Sequence, residues 1–275
     1  VLLGGMKSLK DSGPVWTLLE ELIEKGEGEY TPQHQAWGMR LASEILADSL
    51  DRNHLKRKKR RIFEAIQQAL PNLLGTTDLP ARERAVMGNY LAQIGDIRPE
   101  VQEVDAMPFC FVPKGEFWMG EDDDEVLYNL SYDYWVSQHP ITTAQFKVFV
   151  EETGTELRRS DLQRPDNTPM VNVSQREAVQ FCDWLTKRWQ AMGMLSESWR
   201  VTLPNEPEWE KAARGGEQIV SSPLLRSAMG NAFDTSTATH TMCVNDKPKR
   251  TFACGEHINA ECVNYESNVG HVTAL

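Results

Sequence analysis

The hydrophobic pattern of this sequence changes character near Pro99, and that change calls for two structural units of different kinds. Before it, apolar residues recur at intervals of three and four: Trp16, Leu18, Leu19, Leu22 and Ile23, then Trp37, Leu41, Ile45 and Leu46, then Ile62, Phe63, Ile66 and Leu70. That period belongs to helices with one buried face. Pro14, Pro32, Pro71 and Pro80 stand near the ends of these segments, where proline is tolerated. Three or four short antiparallel helices are expected. Ala81 to Pro99 reads as one amphipathic helix closed by Gly95 and a proline-marked exit.

After Pro99 the sequence turns to short β-prone pieces. FCFVPKGEFWMG ends at Gly120, an acidic stretch follows from Glu121 to Glu125, and YDYWVSQHPIT ends at Thr142. Two helical segments come next, TTAQFKVFVEETG and SQREAVQFCDWLTKRWQAMG. Each has Ser or Thr in the N-cap position and a glycine exit. With 275 residues, 40% of them hydrophobic, the chain can build two cores. The natural cut lies at residues 100–108, giving an all-α region over 1–105 and an α+β domain over 106–275.

The formal net charge of −11 provides no long-range field for nucleic acid or anionic lipid. No apolar run approaches the roughly 20 residues that span a bilayer, and no leader pattern is visible. The expected compartment is cytoplasmic. Cys110, Cys182, Cys243, Cys254 and Cys262 form neither a compact disulfide framework nor a CxxC pair, and most are expected as reduced thiols, buried or half-buried. Seven basic residues crowd between Arg52 and Arg61. The run suits a nucleic-acid patch, a solvated helix face or a contact with an acidic partner, the last two being commoner. Arg57, Lys58, Arg60 and Arg61 are its partner-binding candidates. The acidic stretch Glu121 to Glu125 binds a basic partner or keeps the surface soluble, and solubility is favoured. The loop from Ser221 to Thr241 is long for an ordinary connection, so it is a binding loop or disordered.

Four blocks carry a family resemblance: FVPKGEFWMG (Phe111 to Gly120), HPITTAQFKVFVEETG (His139 to Gly154), TPMVNVSQREAVQFCDWL (Thr168 to Leu185) and WRVTLPNEPEWEKAARGG (Trp199 to Gly216). In this order and spacing they resemble formylglycine-generating enzyme, the sulfatase-modifying-factor domain. Their residues make structure. Pro113 and Gly115 turn a strand into a hairpin. Thr142 or Thr143 caps a helix whose Phe146, Phe149 and Val150 face inward. Asn205 and Glu208 open the next helix in a capping-box-like entry, with Trp209 packing it. Trp135, Trp184, Trp189, Trp199 and Trp209 are expected in the core.

The resemblance implies a C-type-lectin-like α+β fold, incomplete at its C-terminal end, behind a helical region whose last segment resembles a HEAT-like helix. It also implies a structural calcium held by Asn264 and the carbonyl of Tyr265, an oxygen set that suits calcium. A lone asparagine after a strand is more often a turn residue. Phe252, Ala253 and Cys254 depart from the family's aromatic, proline and tryptophan. The family oxidises a substrate cysteine with a copper(I)-binding cysteine pair, soft ligands for a soft ion. That pair lies beyond the family's GNVWEW and RGGSW blocks, all of them expected past Leu275, and no catalytic residue is assigned here. The histidine-carboxylate iron motif of the sulfoxide synthases is also lacking: His34 and His54 stand without it.

Three readings of function follow. The first is a non-catalytic recognition module of a larger bacterial signalling or defence protein, binding a protein or small ligand through the lectin-like fold or contacting other domains of the same polypeptide. The second is a copper-dependent formylglycine-generating oxidase whose catalytic half lies outside this chain. The third, suggested by the start on Val1, is a proteolytic fragment or substrate in a signalling cascade.

Overall fold

A computed structural model describes residues 13–24, 31–49, 57–76, 78–156, 160–227 and 240–258. The described residues fall into two compact units, one running to Arg98 and including Pro165–Pro169, the other made of Pro99–Arg164 and Met170 onward.

In the first unit, α1 (Gly13–Glu24), α2 (Pro32–Ser49), α3 (Arg57–Leu74) and α4 (Ala81–Ile94) pack on one another, with α2 touching the other three. Ile62, Ile66 and Leu70, spaced by four, form the buried stripe of α3 and meet Leu19, Leu46, Leu79, Met87, Leu91 and Ile94. The inward face of α2 is not the one its large residues mark. Trp37 and Leu41 are exposed, whereas Ala36, Ala42 and Leu46 are buried. Small residues win that face because they let backbones approach: a Cβ on Gly38 would stand 3.0 Å from the Leu22 carbonyl. Proline 71 lies inside the last turn of α3 instead of ending it. The side chain of Asn167 donates to the Gly88 carbonyl at 3.2 Å and to buried Asp96 at 2.9 Å, and Asp96 is held by Arg98 at 2.6 Å.

The second unit mixes helix and sheet. Its elements are α5 (Pro99–Gln102), β1 (Pro108–Val112), β2 (Gly115–Met119), β3 (Val126–Leu130), β4 (Tyr134–Ser137), α6 (Thr143–Thr153), α7 (Gln175–Ala191), α8 (Glu206–Arg214), β5 (Gln218–Val220), β6 (Leu225–Ser227) and β7 (Met242–Val244). The strands form a three-stranded sheet in the order β4-β1-β6 and two antiparallel pairs, β2-β3 and β5-β7. The expected hairpin at Pro113 and Gly115 is corrected here. The chain does turn, with Gly115 at φ +122°, but β1 and β2 enter different sheets. β2 pairs with β3 across the acidic turn.

Three helices begin in complete capping boxes: Thr142 with Gln145, Ser174 with Glu177, and Asn205 with Glu208. Each satisfies main-chain donors that a helix start leaves open. The boxes fix where α6, α7 and α8 begin, and so which faces they bury. Phe146, Phe149, Phe181, Leu185 and Trp189 fill the core between α6 and α7, with Phe146 and Phe181 stacked at 5.2 Å. The Trp189 indole donates to Asp105 at 2.9 Å, and Arg188 grips the same carboxylate at 2.5 Å. Those bonds, Arg188 first, hold the Asp105 carboxyl below the usual range. Among the described residues no helix is long and apolar enough to cross a membrane.

Candidate functional site

A cleft of about 680 Å³ opens inside the mixed unit. Six consecutive residues, Tyr132 to Ser137, line one wall, and seven, Ser198 to Pro204, line another. A sheet face offers only alternate side chains, so a consecutive run means that a strand presents its edge. From α7 come Ala178, Phe181, Cys182, Leu185 and Trp189, spaced by three and four as one helical stripe. The cleft is thus a slot with two main-chain walls and an apolar helical floor.

Register supports the first wall. Gln138 N–H donates to the Pro108 carbonyl at 2.9 Å, continuing the β1–β4 ladder in which Val136 faces Cys110 and Tyr134 faces Val112. In an antiparallel ladder bonding residues alternate. Tyr134 and Val136 therefore bond inward to β1, and the main-chain groups of Trp135 and Ser137 point away from it. On the second wall, Val201 N–H donates to the Thr186 hydroxyl at 2.9 Å, anchoring the run to α7. Among the described residues no hydrogen bond involves the main chain of Arg200, Thr202 or Leu203.

One end of the slot is polar. The Tyr132 hydroxyl donates to the Glu208 carboxylate at 2.9 Å, and the Tyr134 hydroxyl to the Glu208 carbonyl at 2.5 Å. Burial, with Glu208 nearby, pushes the Tyr134 phenol well above its ordinary value. The Asp133 carboxylate accepts from Lys114 N–H at 2.7 Å. Two carboxylates thus stand at this end. On the floor, burial and Asp183 push the Cys182 thiol up to about 11, so at neutral pH it is a protonated, weakly nucleophilic small hydrophobe.

Packing physics defines the state of the slot. An empty closed cavity of this size would cost roughly 16 kcal/mol at the slope measured for core deletions, more than the about 5–15 kcal/mol that holds a domain together. The space is an open cleft of ligand size, whose apolar lining faces water until something covers it.

A second cluster joins α8 to the β2–β3 turn. Arg214 donates to the Gly120 and Arg250 carbonyls and pairs with Glu125 at 2.9 Å and Glu210 at 2.6 Å. Lys249 pairs with Glu125 at 2.7 Å and stands 3.4 Å over the Trp118 ring. Those contacts, Lys249 first, lower the Glu125 carboxyl. The last residue of the acidic stretch therefore holds structure, beyond the solubility expected of it.

Of the residues singled out from sequence, Arg57, Lys58, Arg60 and Arg61 lie exposed in the first turns of α3, Lys58 pairing with Glu20 at 2.8 Å. They belong to the helical unit and have no place in the cleft. Asn264, Tyr265 and Cys262 lie outside the described residues, as does most of the loop from Ser221 to Thr241. The calcium set therefore has no geometry to test. Among the described residues no group of three or more His, Cys, Asp or Glu stands together. Cys243 and Cys254 are exposed, contrary to the burial expected of them, and Cys182 is buried. Of the tryptophans, Trp189 is core and Trp135 and Trp199 line the cleft, but Trp209 is 64% exposed. It follows the α8 cap on the helix's outer face, opposite Lys211. Sequence reasoning missed the cleft, although YDYW and WRVTLP, its two walls, were both read as structural strings.

The Sulfatase-modifying factor enzyme 1-like domain matches residues 95–265. Among curated proteins, the serine/threonine-protein kinase Pkn1 of Chlamydia trachomatis serovar L2 is 28% identical over 187 residues, covering 58% of this chain and 28% of the kinase. The formylglycine-generating enzyme of Bos taurus is 25% identical over 161 residues, covering 39% of each chain. The Chlamydia pneumoniae kinase pkn1 is 27% identical over 153 residues, with 46% and 22% covered. The chain thus spans between 22% and 39% of the length of these relatives. No solved structure matches significantly. With well over half of its residues matched, the chain belongs to the sulfatase-modifying factor enzyme 1-like domain family.

Proposed function

We propose that this chain is a recognition module of a larger bacterial signalling or defence protein, and that the cleft between Tyr132–Ser137 and Ser198–Pro204 is where it binds a protein segment or small ligand. The observation that carries this reading is the slot itself, of ligand size, apolar on its floor and polar at one end. The two kinases named Pkn1 support the modular part, since the matching stretch is under a third of each. A C-type-lectin-like fold for the mixed unit, HEAT-like stacking of the helices and a cytoplasmic location belong to the same reading. The test is titration of the protein with the apolar dye anilinonaphthalene sulfonate, comparing the native sequence with Leu203→Arg on the exposed rim. Saturable binding lost in the variant is expected; equal binding by both would sink the assignment of the cleft.

The match to the Bos taurus formylglycine-generating enzyme favours one second reading, a copper-dependent cysteine oxidase. Its test is conversion of the CH2SH of a cysteine peptide to CHO by the full-length protein with copper and oxygen, followed by mass. Calcium at Asn264 and Tyr265 would show as a calcium-dependent rise in melting temperature that Asn264→Ala removes. The basic turn of Arg57, Lys58, Arg60 and Arg61 suits an acidic partner. Alanine replacement of all four should weaken binding to polyglutamate in a salt-dependent way.

A further inference from the structure

We infer that the cleft takes an extended segment of a partner polypeptide, about five residues long, that adds as a strand to the outer edge of β4. This rests on the reading of the cleft as a binding site and names what binds there.

Three observations define that occupant. The first is the walls. β4 has β1 as its one strand partner among the described residues, and the groups of its other edge at Trp135 and Ser137 point away from β1. Across the slot, Arg200, Thr202 and Leu203 have no main-chain hydrogen bonds among the described residues. A small apolar molecule cannot answer two rows of peptide donors and acceptors. An extended peptide can, because its own N–H and C=O groups alternate at the same repeat of about 3.3 Å per residue. With four residues in β4, roughly five on the partner span the edge with one flanking.

The second is the floor. Phe181, Leu185 and Trp189 form a continuous apolar stripe beneath the slot. A strand lying above it turns alternate side chains down, so the occupant needs apolar residues at every second position. The positions between face outward and are free to be polar.

The third is charge. Asp133 and Glu208 both line the slot, at the end where Tyr132 and Tyr134 reach Glu208. Both carboxylates serve internal donors, yet each keeps lone pairs, since an ionised carboxylate offers about four acceptor sites. A lysine or arginine flanking the apolar run at that end is matched, and an acidic residue there is repelled.

The experiment titrates the full chain with synthetic peptides, following tryptophan fluorescence from Trp135 and Trp199 at the walls. The reference peptide carries valine or leucine at alternate positions, threonine between them and one terminal lysine. A second copy is N-methylated at alternate residues, which removes strand donors and keeps the side chains. A third has glutamate for lysine. Saturable binding of the reference is expected, with at least a tenfold loss on N-methylation and a several-fold loss with glutamate that fades at high salt. Slowed amide exchange in β4 should accompany binding. Equal affinity for the N-methylated peptide overturns strand addition. Dye binding without peptide binding overturns this inference alone and leaves the cleft as a small-ligand site, whereas failure of both removes the binding cleft altogether.

Discussion

Lys211 is an unusual residue to find at 1% exposure, and its burial should be visible as a pH dependence of stability. Its amine donates to the Gly115 carbonyl at 2.8 Å and stands 5.8 Å from the centre of the Phe117 ring. Burial lowers its pKa to about 8, with Asp133 acting weakly the other way. The unfolded lysine titrates near 10.4. The folded value is therefore the lower one, and the folded state gives up its proton first. Below pH 8 the amine is charged in both states and the fold carries the full desolvation cost. Between pH 8 and about 10.4 the unfolded chain binds more protons, so stability rises with pH, and above that window the gain levels off. Between pH 7.5 and 10 the rise amounts to about 2 kcal/mol from this group alone. Lys211→Met keeps the apolar stem and removes the titration, at the cost of leaving the Gly115 carbonyl without its donor.

Urea unfolding of both proteins at pH 7.5 and pH 10 isolates the effect, because other groups titrate alike in the two and cancel in the double difference. The native chain should gain about 2 kcal/mol more than the variant across that interval. If the two gain equally, Lys211 is not buried as described and the reasoning is refuted. A more stable variant at pH 7.5 would agree with it, since an isolated buried charge is replaced by a matched apolar side chain.

Four further outcomes can be checked. Thr142→Ala should cost about 2–3 kcal/mol in chemical unfolding, because the hydroxyl both caps α6 and donates to the Val101 carbonyl, whereas Ser174→Ala, an exposed cap, should cost about 1 kcal/mol. Gly120→Ala should lower the melting temperature sharply, since the residue sits at φ +97° and its Cβ would come within 2.8 Å of the Asp124 carbonyl. Stability should fall as pH climbs above about 10, because the unfolded Tyr134 ionises while the folded phenol keeps its proton, and Tyr134→Phe should flatten that limb. Iodoacetamide followed by peptide mapping should label Cys243 and Cys254 well before Cys182, and early labelling of Cys182 would contradict its burial.

What was legible in the sequence follows physical lines. Local signals that act within four residues were readable: the Thr142, Ser174 and Asn205 boxes, the Gly154 exit in the left-handed region at φ 67°, and the stripe of Ile62, Ile66 and Leu70. Signals that depend on distant partners were not. Nothing near Pro113 says that β1 will pair with β4 and β6 while β2 pairs with β3, because that choice is made by residues more than twenty positions away. Glu125 looks like any member of an acidic run until Arg214 and Lys249 arrive from 89 and 124 residues further on. Hydrophobic size misled in α2, where backbone approach at Gly38 outranked Trp37 and Leu41.

The cleft shows the same limit more sharply. Tyr134, Trp135, Trp199 and Val201 each have the composition of core residues, and sequence logic assigns aromatic strings to cores because burying them is the largest available gain. Whether such a string packs against another or stands across a gap depends on the separation of two segments some sixty residues apart. Trp189 lies over Phe109 at 5.8 Å and closes its part of the core, while Trp135 and Trp199 face the slot. The chemistry of these tryptophans is identical, so no one-dimensional pattern separates them. Leu185→Trp, placed on the floor stripe, is the direct probe of that distinction. If the slot is open, the larger ring fills it, the protein stays folded with stability equal to or above the native value, and dye binding is lost. A floor already packed would instead suffer overpacking of about 1–3 kcal/mol.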